Sequence, residues 1–132
     1  MDGLQVLVVE DDPDLQLVFA ETLRWAGHSV RVANHGQHAL DLLSNDFQPE
    51  LILLDIGMPV MDGLSFLGRK RRIPGISGIP VIVISATAEP PIDGACSVLR
   101  KPIEPSELLA AVKKRFPPPT AAGPRGAGSS RT

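Results

Sequence analysis

Short apolar runs alternate along this chain with segments whose apolar residues recur every three or four positions. Leu4 to Val9 (LQVLVV) is strand-like. Asp12 then reads as a helix N-cap and Pro13 as a first-turn residue. Leu15, Val18, Phe19 and Leu23 follow at helical spacing, and Gly27 stops that helix. Ser29 to Ala33 (SVRVA) alternates as a strand does, and residues 36–46 carry Ala39, Leu40 and Leu43 on a short helix. Leu51 to Leu54 is apolar throughout, and residues 63–72 are weakly helical. Pro80 to Ala86 (PVIVISA) is a third apolar run, and Val98-Leu99 a short strand candidate. Pro105 opens a last helix with Leu108, Leu109, Val112 and Phe116 on one side. Lys113, Lys114 and Arg115 complement the negative end of its dipole.

Strands that are apolar on both faces must be covered on both faces, and the intervening helices supply the cover. The pattern therefore predicts an α/β fold. Its form is a flavodoxin-like, doubly wound, five-stranded parallel sheet of order 2-1-3-4-5. In such sheets ligands bind beyond the carboxyl ends of the strands. The segment after Phe116, PPPTAAGPRGAGSSRT, lacks apolar periodicity. This divides the chain into a domain at 1–116 and a disordered Pro/Gly/Ala-rich tail or linker at 117–132.

Composition narrows the function classes. The net charge of −2 gives no argument for nucleic-acid or membrane binding. The single cysteine, Cys96, rules out an intrachain disulfide framework and reads as a small packing residue. No apolar run has the length of a membrane span, and the N-terminus has no basic leader, so a cytoplasmic location is expected. Trp25 is expected to pack at the end of the first helix. The run Arg69-Lys70-Arg71-Arg72 is expected to be a solvated helix end. His28, His35 and His38 have no metal-ligand spacing.

The chemistry gathers at the predicted carboxyl edge. The first strand ends in Glu10, Asp11 and Asp12, the third in Asp55, the fourth in Ser85, and the fifth near Lys101-Pro102. A lone Asp at such a place is usually a cap or turn residue. Here several carboxylates converge, and they raise one another's pKa unless a cation joins them. Hard oxygen ligands suit Mg²⁺, which readily shares a phosphoryl oxygen. Lys101 offers a point charge and Ser85 a hydroxyl donor to further phosphoryl oxygens. Asp55, between the acidic pair and the Ser/Lys side, is then free to act as the nucleophile accepting a phosphoryl group.

The pieces VLVVEDD, ANHGQHAL, LILLDIGMPVMDG, PVIVISA and LRKP, in this order, resemble the receiver domain of two-component response regulators over residues 4–116. The resemblance implies that Asp55 is the phosphoacceptor and that Ser85 and Lys101 contact the phosphoryl group. It implies that Glu10, Asp11, Asp55 and the Gly57 backbone carbonyl hold Mg²⁺, and that Lys101-Pro102 is a cis bond. The implied donor is a sensor histidine kinase or phosphotransfer protein, acting through a phosphohistidine. The first helix often meets that partner, so Leu15, Val18 or Phe19 is expected to be half exposed. A downstream protein target is implied too, with no direct contact to nucleic acid or membrane.

Two features depart from the family pattern. Val98 stands where the family has an aromatic switch residue. The stretch between Ser85 and Lys101 is roughly six residues short, more than one helical turn, and contains Pro90-Pro91 and Asp93-Gly94. The family's fourth helix is therefore expected to be reduced or absent, and the output surface altered. The competing function is a degenerate receiver that acts as a phosphorylation-independent interaction module. A phosphatase with an Asp nucleophile would want a second acid two residues on, where this chain has Gly57. No glycine-rich loop follows the first strand to cradle a nucleotide.

Overall fold

The computed structural model describes residues 3–45, 47–56, 63–86 and 92–116. The elements, in chain order, are β1 (Gln5–Val9), α1 (Pro13–Trp25), β2 (Ser29–Ala33), α2 (Gly36–Ser44), β3 (Leu51–Asp55), α3 (Gly63–Arg71), β4 (Val81–Ser85), β5 (Ser97–Arg100) and α4 (Pro105–Arg115). The five strands pair in parallel in the order β2-β1-β3-β4-β5, as the sequence pattern predicts.

Side-chain alternation along the central strands splits the core into two layers. Leu7 and Val9, Ile52 and Leu54, and Val81 and Val83 face Ala39 and Leu43 of α2 and Phe66 and Leu67 of α3. Val6 and Val8, Leu51 and Leu53, and Ile82 and Ile84 face Phe19 and Leu23 of α1 and Leu108 and Val112 of α4. Each strand residue therefore has a helix above it, which explains why these strands carry no polar face.

Local chemistry fixes the helix ends. The Asp12 carboxylate accepts the backbone N–H groups of Asp14 and Leu15, so the cap read from sequence is formed. Gly27, at φ 99°, turns the chain from α1 into β2. That turn is also a point of close approach: a Cβ on Gly3 would overlap the Gly27 carbonyl oxygen. Beside it, the Leu4 N–H donates to His28 Nδ1 at 2.9 Å. At α4, Glu104 and Glu107 form a reciprocal capping box.

Between β4 and β5 the described residues 92–96 form turns. Residues 87–91, where the rest of the reduced or absent fourth helix is expected, lie outside the described residues. The tail at 117–132 also lies outside them.

Several expectations are corrected. Trp25 is not packed: it is 84% exposed. It is the last residue of α1 and lines an open groove with Pro105 and Leu109 of α4. Phe19 is buried, and the exposed apolar residues near the start of α1 are Leu17 and Val18. Lys70 is not solvated with its neighbours: it is 5% exposed. Its ammonium donates to the Ser77 carbonyl at 2.9 Å, because the chain after α3 folds back over it. Burial, and secondarily Arg71, lowers its pKa. Cys96 is exposed rather than packed. No described helix is long and apolar enough to cross a membrane.

Candidate functional site

Parallel pairing brings the carboxyl ends of β1, β3, β4 and β5 to one edge. Glu10 directly follows β1 and its N–H bonds to the Ala33 carbonyl of β2 at 3.0 Å. Asp55 ends β3 opposite Ile84. Ser85 ends β4 opposite Arg100. The Lys101 N–H continues that ladder to the Ser85 carbonyl at 2.9 Å, which starts the lysine at the same edge. The Lys101-Pro102 bond is cis.

The side chains of Lys101, Asp55, Glu10 and Asp11 gather at this edge. Lys101 Nζ donates to Asp55 Oδ2 at 3.0 Å and lies 3.9 Å from Glu10 Oε1. Oxygens of Glu10, Asp11 and Asp55 all lie within 4.8 Å of one another. Glu10, Asp55 and Ser85 are buried and Asp11 is exposed, so the cluster opens to solvent on the Asp11 side.

The electrostatics are strained in one place. Glu10 is 1% exposed. Burial pushes its carboxyl up to about 8, the Asp55 charge adds to this, and the Asp12 N–H and Lys101 oppose it. The Asp12 N–H satisfies Oε2 at 3.1 Å. Oε1 accepts no hydrogen bond among the described residues. A buried carboxylate oxygen without a donor, facing two further carboxylates, calls for a cation. An all-oxygen set open to water on one side fits a hard divalent ion of the Mg²⁺ kind, which keeps part of its water shell. Gly57, the remaining expected ligand, lies outside the described residues.

A supporting polar layer was not foreseen from sequence. The Gln16 amide bridges the Glu10 carbonyl at 2.6 Å and Asn34 Oδ1 at 2.7 Å. It ties α1 and the β2 end to the backbone that carries Glu10. A glutamine in the first turn of a helix gives no sequence signal of such a role, since the bridge exists only once β1 and β2 are paired.

The family model of the response regulator receiver domain matches residues 6–113. The chain belongs to that family. An uncharacterized 14.6 kDa protein of Leptolyngbya boryana, from the sodA1 3′ region, is 35% identical to this receiver over 124 residues, covering 87% of this chain and 94% of that protein. The DNA-binding response regulator MtrA of Mycolicibacterium smegmatis is 32% identical over 119 residues; the match covers 85% of this chain and 50% of MtrA. The receiver thus spans about half the length of that relative. Among solved structures, the chemotaxis protein CheY4 of Vibrio cholerae superposes with a TM-score of 0.78 at 27% identity, over 85% of this chain and 98% of that one. The receiver domain of the sensor histidine kinase PA1611 of Pseudomonas aeruginosa gives 0.75 at 27% identity, over 85% of this chain and 96% of that one. That structure has a magnesium ion coordinated in its active-site cleft.

Proposed function

We propose that this receiver, residues 1–116, accepts a phosphoryl group on Asp55 from the phosphohistidine of a sensor histidine kinase or phosphotransfer protein. An Asp55 Oδ attacks phosphorus in line. The P–N bond to the donor imidazole breaks, and that imidazole leaves with the electron pair and takes up a proton. Burial at the end of β3 holds Asp55 in one place, so the donor phosphorus meets a fixed nucleophile. Lys101, which rests on Asp55 Oδ2, is positioned to follow the charge onto a phosphoryl oxygen, and the Ser85 hydroxyl to donate to another. Glu10, Asp11, Asp55 and the Gly57 carbonyl would hold Mg²⁺, which neutralises charge on the transferring group. Leu17 and Val18, exposed at the start of α1, offer the donor an apolar contact near the site.

The observation that carries this reading is the buried Asp55 carboxylate, 3.0 Å from Lys101 Nζ and clustered with Glu10 and Asp11. The magnesium-bearing PA1611 receiver supports the metal assignment. Incubation with a small phosphodonor and Mg²⁺, followed by intact mass, tests it. The expected result is a gain of one phosphoryl group that is lost in Asp55→Asn and in the presence of a chelator. No gain in the unaltered chain, with Mg²⁺ binding seen by calorimetry, would overturn the phosphoacceptor reading.

A further inference from the structure

Glu10 and Asp11 are neighbours in sequence, and one planar peptide unit joins them. The direction of that unit's carbonyl therefore sets where the Asp11 main chain starts. Glu10 is buried at the end of β1, with its N–H on the Ala33 carbonyl at 3.0 Å. Asp11 is exposed, so packing gives its carboxylate little support, and the backbone must aim it at Asp55.

Gln16 holds that peptide unit. Its amide nitrogen donates to the Glu10 carbonyl at 2.6 Å and to Asn34 Oδ1 at 2.7 Å. A main-chain carbonyl can only accept, so the nitrogen must face Glu10, and its second N–H is left for the Asn34 oxygen. The Gln16 backbone N–H meanwhile donates to the Asp12 carbonyl at 2.9 Å. One residue thus grips the Glu10–Asp12 segment at both ends. Inside the segment, the Asp12 N–H returns to Glu10 Oε2 at 3.1 Å. Asn34 is anchored in turn: its N–H donates at 3.0 Å to Nδ1 of His38, in the first turn of α2. The grip therefore rests on α1, the end of β2 and the start of α2 together.

We propose that Gln16 is a positioning residue for the cation site, holding the Glu10–Asp11 peptide so that both carboxylates converge with Asp55 before a divalent ion enters. This rests on the metal reading of the Glu10, Asp11 and Asp55 cluster given above. Gln16 supplies no ligand atom and acts through the backbone of the two acids. Carboxylates brought together without a cation repel one another, so an unrestrained segment would swing them apart. The ion would then have to gather them, and that ordering lowers its affinity. Groups that orient metal ligands from behind are typically worth about 10–100-fold in metal affinity.

Gln16→Met keeps the length and helical preference of the side chain and removes both donors. Calorimetric titration of the full chain with Mg²⁺ alone tests the proposal. The dissociation constant is expected to rise about 10–100-fold in this variant. Asn34→Ala, which leaves the Gln16–Glu10 bond without its backing, should raise it by a smaller factor. Gln37→Met is the control, since Gln37 is exposed on α2 and its amide bonds to Asp41, and the constant should not change. The Mg²⁺ concentration for half-maximal phosphorylation should rise with the dissociation constant in Gln16→Met, with a smaller change in the rate at saturation. A residue with a merely structural role would not produce that split. Equal dissociation constants in Gln16→Met and the unaltered chain, whether or not the urea midpoint falls, would overturn the proposal and leave the metal reading standing. Absence of Mg²⁺ binding to the unaltered chain would overturn both.

Discussion

β3 and β5 end at the same edge and serve the same site, yet they are built differently. All five residues of β3 are buried, between β1 and β4 and under helices on both faces. β5 has four residues, none of them fully buried, and lies at the edge of the sheet. The nucleophile candidate Asp55 belongs to the first and Lys101 follows the second. Under the proposed phosphotransfer, the reaction centre needs one fixed atom, which the deepest strand would supply. Lys101 follows a less buried edge strand, which would suit a group that passes from the resting carboxylate to an incoming phosphoryl oxygen. The half-buried β5 also borders the shortened connection, where the Arg71–Asp93 ion pair at 3.2 Å is exposed on both sides and contributes little.

The contrast can be broken most directly in the core. Leu54→Ala, just before Asp55, removes a fully buried side chain from β3 and is expected to cost about 2–5 kcal/mol in urea unfolding. Val98→Ala in β5 should cost only about 1 kcal/mol, since its side chain is half-buried. Equal losses would mean that the edge strand is as firmly held as the centre. Lys101→Ala probes the mobile partner instead. The phosphorylation rate should fall about 100-fold, as when one positioned donor to developing charge is removed, while the unfolding midpoint moves little.

The smallest effect lies at the far edge of the sheet. Burial lowers the pKa of His28, whose Nδ1 accepts the Leu4 N–H, while Glu50 opposes the shift. The folded state therefore favours neutral imidazole. The resulting stability is complete above the unfolded value of about 6.5 and is lost as pH falls through that value towards the lower folded one. Urea midpoints measured from pH 8 to 5 should decline, and His28→Gln should flatten part of that decline.

Much of this was legible in the sequence. The all-apolar strands at 51–54 and 81–84 could only be central, and that fixed which acids end side by side. Asp55, Glu10, Asp11, Ser85 and Lys101 could be named because strand ends in a parallel sheet are set by strand order alone. Trp25, Lys70 and Gln16 were misjudged or missed for a different reason. Whether a residue at a helix end is covered depends on where the next element stops, and periodicity does not encode that. α4 leaves Trp25 open, while residues 72–79 close over Lys70. A tetrabasic run reads as solvated until the loop that buries one of its members is seen.

The contact between Gly3 and the Gly27 carbonyl carries a mechanical consequence. Together with the Leu4–His28 bond, it clamps the start of β1 to the α1–β2 turn. Tension applied through an N-terminal attachment would load this clamp first, and then shear β1 against two neighbours along its whole length. The strand's other end, where Glu10 sits, would feel the pull last.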